Sequence, residues 1–159
     1  MHIGIDLDNT LVCYDRVIYR IARERGLIDE KTRVSKAIIR DIIQQLPDGD
    51  QKWMKIQADI YGPLIVEAEI YEGALDFIKT CFKNSFKISI ISHKTQYAIA
   101  DPHGIDLRKA AINWLQEMGF FSQSGLSFQR QNVHFTDSRE EKIQLIDSLG
   151  CHLFIDDLY

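Results

Sequence analysis

Asp6 and Asp8 stand two residues apart where an apolar run ends, in the order His2, Ile3, Gly4, Ile5, Asp6, Leu7, Asp8, Asn9, Thr10, Leu11, Val12. Side chains two positions apart in an extended chain share a face, so both acids can face one point if the strand geometry persists that far. Two carboxylates held together repel each other. A hard divalent cation with oxygen ligands, most plausibly Mg²⁺, relieves that repulsion and commonly arrives with a phosphorylated substrate. The far end of the chain repeats the pattern, with an apolar run over 151–155 passing directly into Asp156 and Asp157. The expected metal ligands are therefore Asp6, Asp8, Asp156 and Asp157. Taken alone, Asp8, Asn9 and Thr10 also suit a turn or a helix N-cap, an alternative that leaves Asp6 unexplained. A calcium loop counted from Asp6 would need Gly in place of Leu11 and Glu in place of Val17, and has neither.

The elements that must position these acids follow from hydrophobic periodicity. Residues 14–25 read as a helix with Tyr14, Val17, Ile18, Ile21 and Ala22 on one face, stopped by Gly26. A second helix covers 35–46, a turn follows at 47–50, and a third helix covers about 51–61 before Gly62 and Pro63 break it; the path of 64–72 is unassigned. Helical spacing returns at 74–82, and 86–91 is a strand that runs into Ser92, His93, Lys94 and Thr95. The long loop 95–105 is expected at the rim of the site as a specificity loop. Asp106 caps a helix to Met118 with Trp114 in its packed face, 133–135 is a short strand, and Ser138 with Glu141 forms a capping box. On the helix so opened, Lys142, Ile146 and Leu149 share one stripe, so Lys142 begins the face turned towards the sheet. The alternation of strands and helices reads as an α/β fold class. Residues 1–12 and 73–159 form its core, and 13–72 are a helical insertion after the first strand.

Composition bounds the function classes. The 159 residues carry a net charge of −4 with no run of Lys and Arg, which argues against nucleic-acid binding and requires local positive groups for a small anionic substrate. Cys13, Cys81 and Cys151 are widely spaced, with no zinc or disulfide pattern, and fit a reducing cytoplasm. No apolar run reaches the length of a membrane span, and the first residues lack the form of a signal peptide.

The stretch Asp6 to Val12 resembles the first motif of the haloacid dehalogenase superfamily of phosphohydrolases. The resemblance implies that Asp6 is a nucleophile, that Asp8 is a general acid and base, and that Thr10 steadies the phosphate-binding loop. It extends over nearly the whole chain. Ser92 stands where a second motif binds the transferring phosphoryl group, Lys142 where a third neutralises nucleophile and phosphate, and Asp156 and Asp157 where a fourth binds metal. Lys94 is the second candidate for the neutralising lysine. His93 and Lys94 either add positive charge beside the phosphate or belong to a solvated loop. The presence of Asp8 favours phosphatases and phosphomutases over the dehalogenase branch. The implied protein is a Mg²⁺-dependent phosphohydrolase acting on a small phosphorylated metabolite through an aspartyl phosphate, with no organic cofactor and with the insertion as a lid. Its fold would be a Rossmann-like parallel sheet with flanking helices, the first strand central and flanked by the strands of the second and fourth motifs.

Two other readings remain open. A signalling receiver shares the chemistry but carries its adjacent acid pair after the first strand, whereas here that pair is C-terminal. A catalytically weak phosphometabolite-binding or regulatory protein on the same fold fits as well. The chain stops two residues after Asp157, where superfamily members continue, so the last strand is expected at an edge. Leu153, Phe154 and Ile155 carry no charge or proline to discourage pairing, and the expectation is a homo-oligomer through that strand or weak Mg²⁺ binding.

Overall fold

The computed structural model describes residues 1–100 and 104–157. Asp101, Pro102 and His103 of the expected rim loop, with Leu158 and Tyr159, lie outside the described residues. In chain order the elements begin with β1 (His2–Ile5), β2 (Val12–Cys13), α1 (Asp15–Glu24), α2 (Lys36–Gln44) and α3 (Gly49–Tyr61). A 3₁₀ turn at Ile65–Glu67 leads to β3 (Glu69–Ile70), α4 (Ala74–Lys83), β4 (Lys87–His93), α5 (Leu107–Glu117), β5 (Val133–Thr136), α6 (Arg139–Ser148) and β6 (Leu153–Ile155). No helix among the described residues is long and apolar enough to cross a membrane.

Four strands form a parallel sheet in the order β5-β4-β1-β6, which puts the first strand between those of the second and fourth motifs. All four residues of β1 are buried, as a central parallel strand covered on both faces requires. Its register aligns Ile5 with Ile90 of β4 and with Ile155 of β6, so β1 and β6 end level while β4 continues to His93. The acids of both chain ends and Ser92 therefore emerge at one crevice beyond the carboxyl ends of the strands. The strand β4 runs to His93, past the end expected from its apolar run, and pairs Ser92 with Phe135 and His93 with Thr136. Apolar periodicity stops at Ile91 because it cannot register a small hydroxyl such as Ser92, which is buried all the same.

Extended geometry does not persist to Asp8. The chain leaves the strand at Asp6, and the Leu7 carbonyl accepts bonds from the amides of Leu11 and Val12, both at 2.9 Å. Asn9 takes a φ of 64°, a left-handed conformation that Asn tolerates better than most residues. A tight reversal, and not strand alternation, thus places Asp8.

The insertion leaves and re-enters the core through β2 and β3, which pair antiparallel, Val12 with Ile70 and Cys13 with Glu69. This ribbon and the preceding 3₁₀ turn supply the unassigned path of 64–72. Helix α3 starts at Gly49, inside the expected turn, because a Cβ there would lie 2.4 Å from the Ile43 carbonyl oxygen; only glycine lets α3 begin so close to α2. The apolar faces of the insertion, with Ile18, Ile39, Ile43, Ile56 and Ile60, merge with Ile5, Leu7, Leu11 and Trp114 into one cluster. The buried Trp114 indole donates to the Ala68 carbonyl at 2.9 Å and so ties α5 to the returning segment. At the sheet's edge β6 leaves Leu153 55% and Ile155 38% exposed.

Gly4 makes close contact between β1 and β6 possible. A Cβ at this position would lie 2.5 Å from the Phe154 ring and 3.2 Å from the Cys151 sulfur. The same ring lies 4.9 Å from the Lys142 ammonium. Gly4→Ala is expected to destabilise the fold by about 1–3 kcal/mol through overpacking, measured as a lower urea midpoint at unchanged slope.

Candidate functional site

Lys142 and Asp6 are each about 5% exposed and meet beneath the crevice. The helix that delivers the lysine is set by its N-terminus: the Ser138 hydroxyl accepts from the Glu141 amide at 3.1 Å, and the Glu141 carboxylate accepts from the Asp137 amide at 2.9 Å. From the first turn of α6 the Lys142 ammonium donates to Asp6 Oδ1 at 2.7 Å and to Asp156 Oδ2 at 2.8 Å. Burial alone would push this ammonium down, but Asp6 and Asp156 more than offset it and hold it above the usual lysine range. The backbone seals the same corner, since the Asp6 amide donates to the Ile155 carbonyl at 2.8 Å.

One oxygen from each of Asp6, Asp156 and Asp157 lies within 4.8 Å of the others. Burial raises the Asp6 carboxyl from 3.8 to about 7; Lys142 lowers it, while Asp8 and Asp156 push it further up. Burial also raises Asp157, with Asp156 adding to the shift and Lys36 opposing it. A cluster whose acids are held in this way is short of positive charge.

The carboxylate of Asp8 does not join that trio. Its Oδ2 pairs with the Lys94 ammonium at 2.9 Å, and its Oδ1 accepts from the Tyr14 hydroxyl at 2.5 Å. Lys94 is no solvated loop residue: its side chain is 2% exposed, and its ammonium lies 4.7 Å from the centroid of the Tyr61 ring, on which Tyr14 packs edge-on at 5.2 Å. Burial, reinforced by Asp8, holds the Tyr14 phenol well above its usual range, so it remains a donor. Arg108 at the start of α5 fixes the backbone here, donating to the Lys94 carbonyl at 2.8 Å and to Asp137 at 2.5 Å. His93 stands at the rim, 3.2 Å from the Asp137 carbonyl. The sequence pattern puts a single lysine opposite the acids; the structure supplies two, one for each acid of the first motif.

These groups line one cavity of about 400 Å³, with Asp6, Asp8, Ser92, His93, Lys142, Asp156 and Asp157 from the core. Lys36, Arg40, Gln57 and Tyr61 come from the insertion. The structure does not bring Thr10 to it. The Thr10 hydroxyl is buried without a hydrogen-bond partner among the described residues, and Thr10 lines a separate cavity with Leu11, Tyr71 and Ile155. A larger cavity of about 670 Å³, bounded by Arg25, Lys55, Asp59 and Ile99, holds none of the four acids and none of their lysine partners. The smaller cavity is therefore the candidate site. Sequence reasoning missed Tyr14, Tyr61, Lys36, Arg40 and Arg108. Only Tyr14 left a signal, a phenol at the head of an otherwise aliphatic helical stripe.

Among solved structures, the chain is similar to a haloacid dehalogenase-like family hydrolase from Xanthomonas campestris, at 12% identity and a TM-score of 0.49, over 99% of this chain and 74% of the other. It is also similar to a HAD hydrolase, family IA, variant 3 from Entamoeba histolytica, at 15% identity and a TM-score of 0.48, over 97% of this chain and 74% of the other. No family model matches the chain, and no curated protein matches it significantly.

The raised Asp6 has a measurable consequence. Between 3.8 and about 7 the fold holds a proton that the unfolded chain has released. Stability of the metal-free protein therefore falls as pH rises through that window. A divalent cation on Asp6, Asp156 and Asp157 must displace the same proton. Mg²⁺ affinity is expected to rise with pH up to about 7, with protons released on binding below it. Calorimetric titration in two buffers of different ionisation enthalpy checks both.

Proposed function

We propose that this protein is a Mg²⁺-dependent phosphohydrolase of the haloacid dehalogenase-like type, acting in the cytoplasm on a small phosphorylated metabolite through an aspartyl phosphate on Asp6. The observation that carries the reading is the meeting of Asp6 at the end of the central strand with Lys142 at 2.7 Å and with Asp156 and Asp157 within 4.8 Å. The trio offers only carboxylate oxygens and is short of positive charge, a donor set that suits Mg²⁺. Asp6, Asp156 and Asp157 would hold the ion, which when bound neutralises the acids and polarises a phosphoryl oxygen.

In the first step an Asp6 oxygen forms a bond to phosphorus while the bond to the leaving oxygen breaks. The departing electron pair stays on that oxygen, which takes a proton from Asp8, the neutral acid being the form required at the start of the cycle. Asp8 then takes a proton from water, whose oxygen bonds to phosphorus as the bond to Asp6 breaks. Inorganic phosphate leaves, and both acids return to their starting states. Lys142 and the Ser92 hydroxyl face the non-bridging oxygens, where most catalysis of phosphoryl transfer resides. Tyr14 and Lys94 hold the Asp8 carboxyl in place, and His93 adds a donor at the rim.

One observation favours the second reading, a phosphometabolite-binding or regulatory protein with weak turnover. Both Asp8 oxygens already accept bonds from strong donors, which orients the carboxylate but occupies it. Hydrolysis of 4-nitrophenyl phosphate separates the two. The enzyme reading expects Mg²⁺-dependent turnover that chelation abolishes, no phosphoenzyme in Asp6→Asn, and a loss of about 10²–10⁴-fold in kcat for Asp8→Asn. Wild-type turnover no faster than that of Asp8→Asn would leave a binder, and radiolabelled phosphate trapped on another residue would remove Asp6 as nucleophile.

The exposed edge of β6 extends the proposal to association. Leu153 and Ile155 present an unprotected apolar edge, and a second copy pairing along it would cover both. Sedimentation is expected to show a concentration-dependent dimer that Leu153→Lys reverses to monomer.

A further inference from the structure

Within the cavity the core charges are already matched, if the phosphohydrolase reading holds. Asp8 has Lys94. Asp6 and Asp156 share Lys142, and together with Asp157 they would hold the divalent cation. The insertion adds two more cations, Lys36 and Arg40, on successive turns of α2 and facing the same space. Lys36 is half-buried, yet among the described residues no carboxylate comes within 4.0 Å of its ammonium. Its contacts are the Tyr61 hydroxyl at 3.2 Å and the ring of the same residue at 5.8 Å. Burial pushes it below the usual lysine range, Asp157 and Asp8 pull it back up, and Arg40 pushes it further down. Arg40, its side chain 49% exposed, has among the described residues one ion pair, at 3.5 Å, with its chain neighbour Asp41.

Two like charges directed into one cavity repel each other, and a half-buried ammonium without a counter-ion is costly. An anionic group between them relieves both penalties. Lys142 and Ser92, which face the transferring phosphoryl group, line the cavity from the core, whereas Lys36 and Arg40 line it from the insertion. Lys36 stands in the fields of Asp157 and, after it, of Asp8, the acid that serves the leaving oxygen. The charge on the insertion therefore addresses the leaving group.

We infer that Lys36 and Arg40 form a second anion subsite, and that the substrate carries, besides the phosphoryl group that is removed, a second negatively charged group such as a carboxylate or another phosphate on its leaving portion. This rests on the phosphohydrolase reading and narrows its substrate class to small doubly anionic metabolites. It also gives the insertion a chemical task in selecting substrate.

Non-hydrolysable ligands test the inference apart from turnover. With Mg²⁺ present, calorimetry would compare phosphonoacetate and 3-phosphonopropionate with methyl- and ethylphosphonate, on wild type and on Lys36→Met and Arg40→Met, with circular dichroism confirming that each variant is folded. The expected result is that at least one carboxylated ligand binds wild type tenfold or more tighter than its uncharged counterpart, and that either substitution brings the ratio close to one. Equal affinity for the two classes in wild type would overturn the subsite. So would variants that weaken both classes alike, because the two cations would then serve the transferring phosphoryl group. A ratio that survives both substitutions would place the selectivity elsewhere and overturn it too. Failure of every phosphonate to bind would defeat the phosphohydrolase reading itself, and is thereby distinguished from failure of the subsite alone.

Discussion

A buried ammonium between two carboxylates is the constraint on which this structure depends. Lys142 reaches Asp6 and Asp156 from a third segment of chain, and none of the three is tolerable in that position without the others. Removing one partner from a buried ion pair leaves an uncompensated charge, a larger loss than the pair itself contributes to stability. The requirement explains the geometry around it. The strand β6 must lie beside β1 with their ends level, and the bond from the Asp6 amide to the Ile155 carbonyl keeps them so. Phe154 must pack flat across β1 beneath the ammonium, which Gly4 permits. Helix α6 must begin where Ser138 and Glu141 start it, or Lys142 would turn away.

The second pair, Lys94 with Asp8, couples the core to the insertion. Tyr14 at the head of α1 bonds the carboxylate and Tyr61 at the end of α3 lies against the ammonium, so two helices of the insertion meet at this one ion pair. Because the apolar faces of these helices merge with the core cluster, the insertion is not a separately packed body. Its polar residues share the electrostatics of the cavity in the same way.

How much was legible in the sequence varied with the physics of each residue. The central strand, its flanking strands and the capped helix of Lys142 left local signals: short apolar runs ending in acids, a Ser and Glu at capping distance, and a lysine at the head of an apolar stripe. The extent of β4 was less legible, because a buried serine looks polar in any hydropathy pattern. Lys94 was ambiguous for a stronger reason. A lysine after a strand is ordinarily solvated, and only the folded arrangement of two tyrosines and Asp8 makes a buried one tolerable. The placement of Thr10 turned on a backbone reversal at Asn9, where φ becomes positive, and spacing alone does not reveal that. Lys36 and Arg40 look like the solvated face of an amphipathic helix; their role depends on which way α2 turns once packed.

The separation in sequence between the ion-paired groups has a consequence for synthesis. Asp6 and Lys142 are 136 residues apart, and the partners of Ile3 in the sheet are Ile88 and Leu153. At translation rates of about 5–20 residues per second, β1 leaves the ribosome on the order of ten seconds before its second neighbouring strand exists. In that interval Asp6 lacks its ammonium, and one side of β1 has no strand to pair with. Until then the ammonium and the carboxylates of the candidate site are apart, and their meeting reports that β6 has found its place beside β1.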